Sequence, residues 1–155
     1  MKAYVYIGVT DESVLSDGRL DGLLSELRQG GAQVHVMPPG DTSIEGADIL
    51  ISVGGDGTFL AASSIAALSG VPVVGVNLGR LGFLSENRPE HVAEALLSGD
   101  YVIEDATVLR AVPKDETLFE NAGMWPFAFN EFTVHRTGSA ILGVDVCVNG
   151  TPLPT

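Results

Sequence analysis

Little in this chain is suited to disulfide, zinc or nucleic-acid chemistry. Its 155 residues contain a single cysteine, Cys147, which excludes an intramolecular disulfide framework and a zinc cluster built on thiolates. Lysine and arginine number 8 against 20 aspartates and glutamates, so the formal net charge is −12. A chain this acidic is a poor partner for nucleic acid or for an acidic membrane surface. We expect neither partner.

Metal-binding histidines and membrane segments are also missing. The three histidines lie far apart, without the spacing of a metal site. No apolar run approaches the length of a membrane span. The apolar start of the chain is interrupted by Asp11 and Glu12 too early for a signal peptide. With 45% hydrophobic residues, the chain nevertheless has ample material for a core. We expect a cytoplasmic globular protein.

Residues 1–99 alternate between short apolar runs and stripes at helical spacing. Strands are predicted at residues 3–9, 33–37, 49–53 and 71–76. Helices are predicted at residues 20–28 and 59–68, with a further helix that Pro89 opens and Gly99 ends. This order predicts a parallel sheet with helices on both sides, a Rossmann-like α/β domain over residues 1–99.

From residue 100 the pattern changes to β-rich segments that are joined by turns. Strands are predicted over residues 101–112, 127–129, 132–136 and 140–148, and Asn149-Gly150 follows as a dipeptide typical of hairpins. Residues 100–155 are therefore expected to begin an antiparallel, β-rich second domain. Three or four strands are too few to close a β core of their own, which predicts that this domain is incomplete.

The most informative motif, Gly54-Gly55-Asp56-Gly57-Thr58, lies where the third predicted strand should become a helix. Glycines let backbone N–H groups approach phosphate oxygens closely, and the N-terminus of the helix adds a favourable dipole. A carboxylate facing phosphates is repelled unless it removes a proton from an attacking alcohol or helps to hold a metal. Thr58 suits either a helix cap or a phosphate contact. The alternative is an ordinary tight turn with a solvated Asp56.

Two further polar elements follow along the chain. The loop Asn77-Leu78-Gly79-Arg80-Leu81-Gly82-Phe83 comes after the fourth predicted strand. Arg80 suits a phosphate or the surface, and Phe83 on its own suggests a core residue. Asn130-Glu131 is a polar pair within an apolar strand. An amide beside a carboxylate suits an adenine edge and ribose hydroxyls, and a solvent-facing strand end is the alternative.

Taken in order, these three elements resemble the NAD kinase family, and the similarity runs over essentially the whole chain. The Gly-Gly-Asp-Gly-Thr element alone is similar to one in diacylglycerol and sphingosine kinases, and phosphofructokinases have a related one. The second loop together with the Asn-Glu pair is much more specific. The resemblance implies phosphorylation of the adenosine-side ribose 2′-hydroxyl of NAD by ATP or polyphosphate, giving NADP. It also implies assembly into a dimer or tetramer.

The resemblance also assigns roles to individual residues. Asp56 becomes the catalytic base that accepts the proton of the ribose hydroxyl. The residues implied in nucleotide binding are Gly54, Gly55, Gly57, Thr58, Asn77, Phe83, Asn130 and Glu131. The sequence has no P-loop, and its only lysines are Lys2 and Lys114. Phosphate charge is therefore expected to be neutralised by Mg²⁺ or another divalent cation, by backbone dipoles, or by residues outside the sequence.

Two departures from the family pattern bear on activity. Family members continue past the β segment with an Asp-Gly element and a Pro-Thr-Gly-Ser-Thr-Ala-Tyr-type loop that completes the NAD site, and neither follows that segment in this sequence. Ser63 stands where the family often has a basic residue. Weak or no activity is therefore expected of these residues alone. Two other functions stay open: a lipid kinase of the diacylglycerol type, and a non-catalytic nucleotide-binding module.

Overall fold

The computed structural model describes residues 1–8, 12–79, 82–115, 117 and 125–153. The strands of the larger sheet are β1 (Lys2–Ile7), β2 (Gln33–Val36), β3 (Ile49–Val53) and β4 (Val73–Val76). The helices are α1 (Glu12–Leu15), α2 (Gly18–Gln29), α3 (Asp56–Ser69) and α4 (Pro89–Ser98). All four strands and three of these helices were predicted from the sequence, and the short α1 was not. The predicted end of the first strand, at Val9, lies outside the described residues.

The four strands form one parallel sheet in the order β2-β1-β3-β4. β1 pairs with β2, where Lys2 lies opposite Gln33, and with β3, where Ala3 lies opposite Ile49. The chain thus moves from β1 to the neighbour on one side and then crosses to the other side. This reversal creates a topological switch point between β1 and β3. In open α/β sheets, ligands bind in the crevice outside the carboxyl ends of the strands at such a point.

Helices cover both faces of this sheet, which confirms the Rossmann-like α/β prediction. All five residues of β3 are buried, as expected of a central strand covered on both sides. Successive side chains of β3 point to opposite faces. Ile51 packs in one cluster with residues of α2 and α4, and Leu50 packs in another with residues of α3. Burying each such side chain contributes about 1.5–3 kcal/mol. The turn that follows β3 therefore starts from a firmly held strand.

Residues 100–153 form far less regular structure than predicted. The strands described there have two residues each, and they are β5 (Leu109–Arg110), β6 (Phe127–Ala128), β7 (Cys147–Val148) and β8 (Thr151–Pro152). The strands predicted over residues 101–112 and 140–148 are wrong for most of their length, and the one at 132–136 does not form. Their alternating apolar residues match a strand pattern, but a ladder also needs a neighbouring strand with which to exchange hydrogen bonds.

The antiparallel character of this region and its hairpin are confirmed. β5 pairs with β6, and β7 with β8, both antiparallel. Asn149 and Gly150 have φ angles of 50° and 79°, the left-handed conformation that a two-residue hairpin loop requires. The division into two domains at residue 100 stays a prediction. Among the helices of the described residues, none combines the length and apolar character needed to cross a membrane.

Candidate functional site

The glycine turn begins where the chain leaves the buried strand β3. Gly54 has a φ of +150°, and a Cβ at this position would lie 2.5 Å from Oγ1 of Thr58. Only glycine therefore fits here. Gly55 is the N-cap of α3, and no side chain caps the helix. The capping role considered for Thr58 is wrong, because α3 begins at Asp56 and the Thr58 hydroxyl lies against Gly54 within the turn.

The carboxylate of Asp56 is held by the main chain of the loop that follows β4. Its Oδ1 accepts hydrogen bonds from the N–H groups of Leu84 at 2.9 Å and Ser85 at 3.2 Å. Its Oδ2 accepts one from the N–H of Phe83 at 3.0 Å. These bonds, that of Leu84 foremost and that of Phe83 next, hold the pKa of Asp56 below its ordinary value of 3.8. Asp56 is therefore an anion at neutral pH.

This arrangement bears on the solvation of Asp56. A carboxylate has about four lone-pair positions for hydrogen bonds, and the three main-chain donors fill all but one. The carboxyl group is half-buried and bound to loop amides, so the freely solvated Asp56 of the tight-turn interpretation is wrong, and the catalytic role stays a prediction. The unfilled position is on Oδ2, because Oδ1 already accepts two bonds.

The loop of residues 82–87 is tied to the glycine turn by further contacts. The fully buried Ser85 donates a hydrogen bond from its Oγ to the carbonyl oxygen of Gly54 at 3.0 Å. The side-chain amide of Asn87 donates to the carbonyl of Gly75, in β4, at 3.1 Å. A Cβ on Gly82 would collide with the carboxylate of Asp56. The close approach of loop and carboxylate therefore depends on glycine at position 82.

A cavity of about 150 Å³ lies beside the glycine turn, at the carboxyl ends of the strands. It is lined by Val14, Asp17, Gly54, Gly55, Asn77, Leu78 and Gly79. Asn77 is buried, and its Oδ1 accepts a hydrogen bond from the N–H of Gly79 at 2.8 Å. Three of the residues predicted to bind nucleotide, Gly54, Gly55 and Asn77, thus meet at the topological switch point.

Sequence reasoning missed Asp17 and Arg19 at this cavity. Asp17 caps α2 by accepting the N–H of Arg19 at 2.9 Å, and it also accepts the Arg19 guanidinium at 2.7 Å. The hydrogen bonds from Arg19 lower the pKa of Asp17 to about 2. Arg19 also donates to the carbonyl of Leu78, so it brings a cation beside the cavity wall. Asp17 stands just ahead of the leucines of α2, so the sequence could have predicted it as the N-cap of that helix.

The Asn130-Glu131 pair lies at a different cavity. This one has a volume of about 300 Å³ and is lined by Leu60, Ser64, Ala128, Phe129, Asn130, Glu131 and Thr133. The ring of Phe129 packs edge-on against that of Phe59, with 5.8 Å between the centroids. Leu60 and Ser64 lie one and two turns beyond Asp56 on α3. The helix that starts at the glycine turn therefore also forms one wall of the second cavity.

The other predicted site residues lie outside both sets of lining residues. The Phe83 side chain is 91% exposed, so the core interpretation is wrong. Gly57 is exposed, with open space where a Cβ would be. Ser63 is buried and donates a hydrogen bond to the carbonyl of Phe59 at 2.8 Å. Arg80 lies outside the described residues.

No metal centre is visible in the described ranges. Across residues 1–8, 12–79, 82–115, 117 and 125–153, no three His, Cys, Asp or Glu side chains are grouped so that they would hold a metal ion. The carboxylates nearest the glycine turn, Asp17 and Asp56, already accept hydrogen bonds from the protein. These donors do not fit a Mg²⁺ ion held by the protein itself, and we assign no metal ligand.

The sheet, with the glycine turn at its switch point, defines an open, Rossmann-like α/β architecture. Residues 40–99 match the sequence model of the ATP-NAD kinase N-terminal domain. The chain is 31% identical over 153 residues to the NAD kinase of Mycobacterium tuberculosis, a match that covers 96% of this chain and 49% of that protein. It is 37% identical over 113 residues to the NAD kinase of Bacteroides fragilis, covering 70% and 38% respectively. The chain is thus similar to NAD kinases over nearly its whole length, and residues 40–99 match their N-terminal domain.

The chain spans about half the length of the curated relatives it matches, 49% for the mycobacterial protein. Among solved structures it is similar to an NAD kinase from Archaeoglobus fulgidus in complex with ATP. That similarity has 25% sequence identity and a TM-score of 0.46, and it covers 72% of this chain and 40% of the other.

Proposed function

We propose that this chain contributes the phosphoryl-transfer site of an NAD kinase, which moves the γ-phosphoryl group of ATP to the 2′-hydroxyl of the adenosine ribose of NAD. The observation that carries the proposal is the state of Asp56. It is an anion at the first residue of α3, next to the glycine turn, and its Oδ2 has one unfilled acceptor position. That position suits an alcohol that approaches a phosphate lying over the turn.

The donor phosphates are proposed to bind at the cavity beside Gly54 and Gly55. The N-terminus of α3 supplies N–H groups there, and no side chain caps them. Helix N-termini of this kind bind anions through these groups and through the helix dipole. Gly57 has open space where a Cβ would be, so a phosphate could also approach the backbone there. Thr58 and Asn77 shape the turn and the facing wall of the cavity.

The chemical step requires one proton to leave the ribose hydroxyl. The hydroxyl oxygen forms a bond to the γ-phosphorus while the bond between that phosphorus and the oxygen of the departing ADP breaks. The hydroxyl donates its proton to Oδ2 of Asp56, because Oδ1 is filled by Leu84 and Ser85. A carboxylate of low pKa suffices, since the transition state is loose and the proton moves late.

NAD is proposed to lie along α3, with its adenine edge and ribose hydroxyls at Asn130 and Glu131. Both side chains are exposed at the second cavity, which shares α3 with the glycine turn. The exposed ring of Phe83 is proposed to pack on the dinucleotide. Mg²⁺ is expected to enter with the nucleotide phosphates, to which it commonly binds. ATP is proposed as the donor, and polyphosphate stays an alternative.

Two finer features belong to the same proposal. The protein is proposed to assemble into a dimer or tetramer, which size-exclusion chromatography with light scattering would measure. The proposed location is the cytoplasm, a compartment that supplies both ATP and NAD.

The test is the substitution Asp56→Asn in the complete protein, assayed for NADP formation from ATP and NAD. General-base catalysis typically contributes about 10²–10⁴-fold, so we expect kcat to fall by that order. Asp115→Asn is the matched control, because Asp115 also accepts a main-chain and a hydroxyl hydrogen bond, in this case from the nearby Thr117. A nearly normal kcat in Asp56→Asn would show that the role given to Asp56 is wrong. Calorimetric binding of ATP and NAD without turnover in the unsubstituted protein would indicate a binding module instead.

A further inference from the structure

The loop of residues 82–85 combines a fixed backbone with an exposed aromatic ring. The main-chain N–H of Phe83 donates to Asp56, while its side chain is 91% exposed. The next two N–H groups, of Leu84 and Ser85, also donate to Asp56. Three consecutive residues of the loop are thus bound to one carboxylate.

We propose that Asp56 has a second role as the positioning residue for Phe83: its carboxylate fixes the loop of residues 82–85, and with it the ring that contacts the dinucleotide. The dinucleotide part of this inference rests on the proposed function, whereas the anchoring of the loop does not.

Of the two contacting segments, Asp56 is held more firmly than the loop of residues 82–85. Asp56 lies two glycines after β3, whose residues are all buried, and the first turn of α3 contains the buried Phe59. The loop approaches closely because Gly82 has no Cβ. Ser85 adds a bond from its hydroxyl to the carbonyl of Gly54. The position of the loop therefore follows from the glycine turn.

Asparagine at position 56 keeps the size of the side chain but cannot keep all three bonds. An amide has one acceptor oxygen and one NH₂ group, which only donates. If its oxygen faces Leu84 and Ser85, the NH₂ group opposes the N–H of Phe83. If the amide is reversed, the NH₂ group opposes the other two. Either orientation releases part of the loop, so Asp56→Asn separates anchoring from simple loss of volume.

Hydrogen exchange in the ligand-free protein tests the anchoring. In Asp56→Asn, we expect the amides of residues 83–85 to exchange at least about tenfold faster, because each loses a charged acceptor or the order it imposes. The amides of Leu50 and Ile51 in β3 should not change, and Asp115→Asn should leave both sets unchanged. Unaltered exchange at residues 83–85 would overturn the proposal whatever the protein catalyses.

A double-mutant cycle on NAD binding tests the consequence for Phe83. We expect Asp56→Asn and Phe83→Ala each to raise the Kd for NAD about five- to tenfold, the range of a lost aromatic contact. The double variant should bind NAD more tightly than the product of the two single effects predicts, because the part of the Asp56→Asn effect that acts through the ring is already lost in Phe83→Ala. Multiplied effects would mean that the two residues act independently, and the positioning role would fail.

These outcomes separate the inference from the proposed function. If exchange responds but the protein does not bind NAD, then the anchoring stands and the proposed substrate is wrong. Should Asp56→Asn not fold, Gly82→Ala replaces it in both experiments, because it retains the carboxylate while its added Cβ would collide with Asp56 and push the loop away. It should speed exchange at residues 83–85 and show the same non-additivity with Phe83→Ala, and failure of either result would overturn the inference.

Discussion

Two apolar segments of this chain, residues 49–53 and 144–148, differ in burial and in strand formation. All five residues of the first are buried in β3, between β1 and β4 and under helices on both faces. In the second, Val144, Val146 and Val148 are each about half exposed, and only two residues pair as β7. Both segments have the β-branched residues that favour strands. The difference shows that such residues permit a strand, whereas pairing and burial create it.

The largest expected effect compares the same substitution in the two regions. Ile51 is fully buried, and Ile141 is 94% exposed. We expect Ile51→Ala to lower the free energy of unfolding by about 2–5 kcal/mol, because it leaves a cavity under the sheet. Ile141→Ala should change it by less than about 0.5 kcal/mol. Urea unfolding followed by circular dichroism measures both. Equal losses would mean that Ile141 is packed in the protein in solution.

A second comparison uses two glycines. Gly54→Ala introduces a Cβ at a positive φ, 2.5 Å from the Thr58 hydroxyl, and we expect it to destabilise the protein by about 1–3 kcal/mol. Gly143 has open space where a Cβ would be, so Gly143→Ala should be close to neutral. Thermal unfolding compares the variants. A stable Gly54→Ala would contradict the steric account of the turn.

The smallest expected effect concerns acid stability. Hydrogen bonds from Arg19 hold the pKa of Asp17 at about 2, below its ordinary 3.8. A depressed folded-state pKa stabilises the protein above pH 3.8, and this contribution is lost as the pH falls towards 2. Asp17→Asn, whose amide still caps a helix, should therefore flatten the decline of the unfolding midpoint between about pH 4 and 2.

Asp115 provides the matched comparison in the less regular region. Hydrogen bonds from Thr117, that of its hydroxyl foremost, lower the pKa of Asp115 as well. If residues 100–153 do not unfold together with the larger sheet, Asp115→Asn should leave the midpoint of the sheet unchanged across the same pH range. An equal flattening by both substitutions would show that the two regions unfold as one unit.

The fold was predictable from the sequence wherever the local preference of a segment matches the structure that tertiary packing stabilises. The apolar run at residues 49–53, the stop at Gly54 and the leucine stripe of α2 each carry a local signal that the packed structure reinforces. The Asn149-Gly150 hairpin was predictable for the same reason, since its left-handed φ angles are a property of the dipeptide. The strand predicted over residues 101–112 failed because its ladder required partners that no local pattern specifies.

The candidate site was predictable in its residue types but not in its contacts. Gly54, Gly55 and Asn77 were identified from the sequence, and they share one cavity. The hydrogen bonds that Asp56 accepts from Phe83, Leu84 and Ser85 join residues almost thirty positions apart. No spacing rule connects such distant positions, so only the packing of α3 against the loop after β4 reveals them.

The order of apolar runs, helical stripes and glycines determined by itself that this chain would build a parallel α/β sheet with a glycine turn after its third strand. Those features depend on side-chain periodicity and backbone freedom, which are local. Only the tertiary structure decided that the carboxylate in this turn binds three loop amides, and that the Asn-Glu pair lies at a separate cavity along α3. Such pairings depend on which distant segments fold against each other, and this is set by burial over the whole domain.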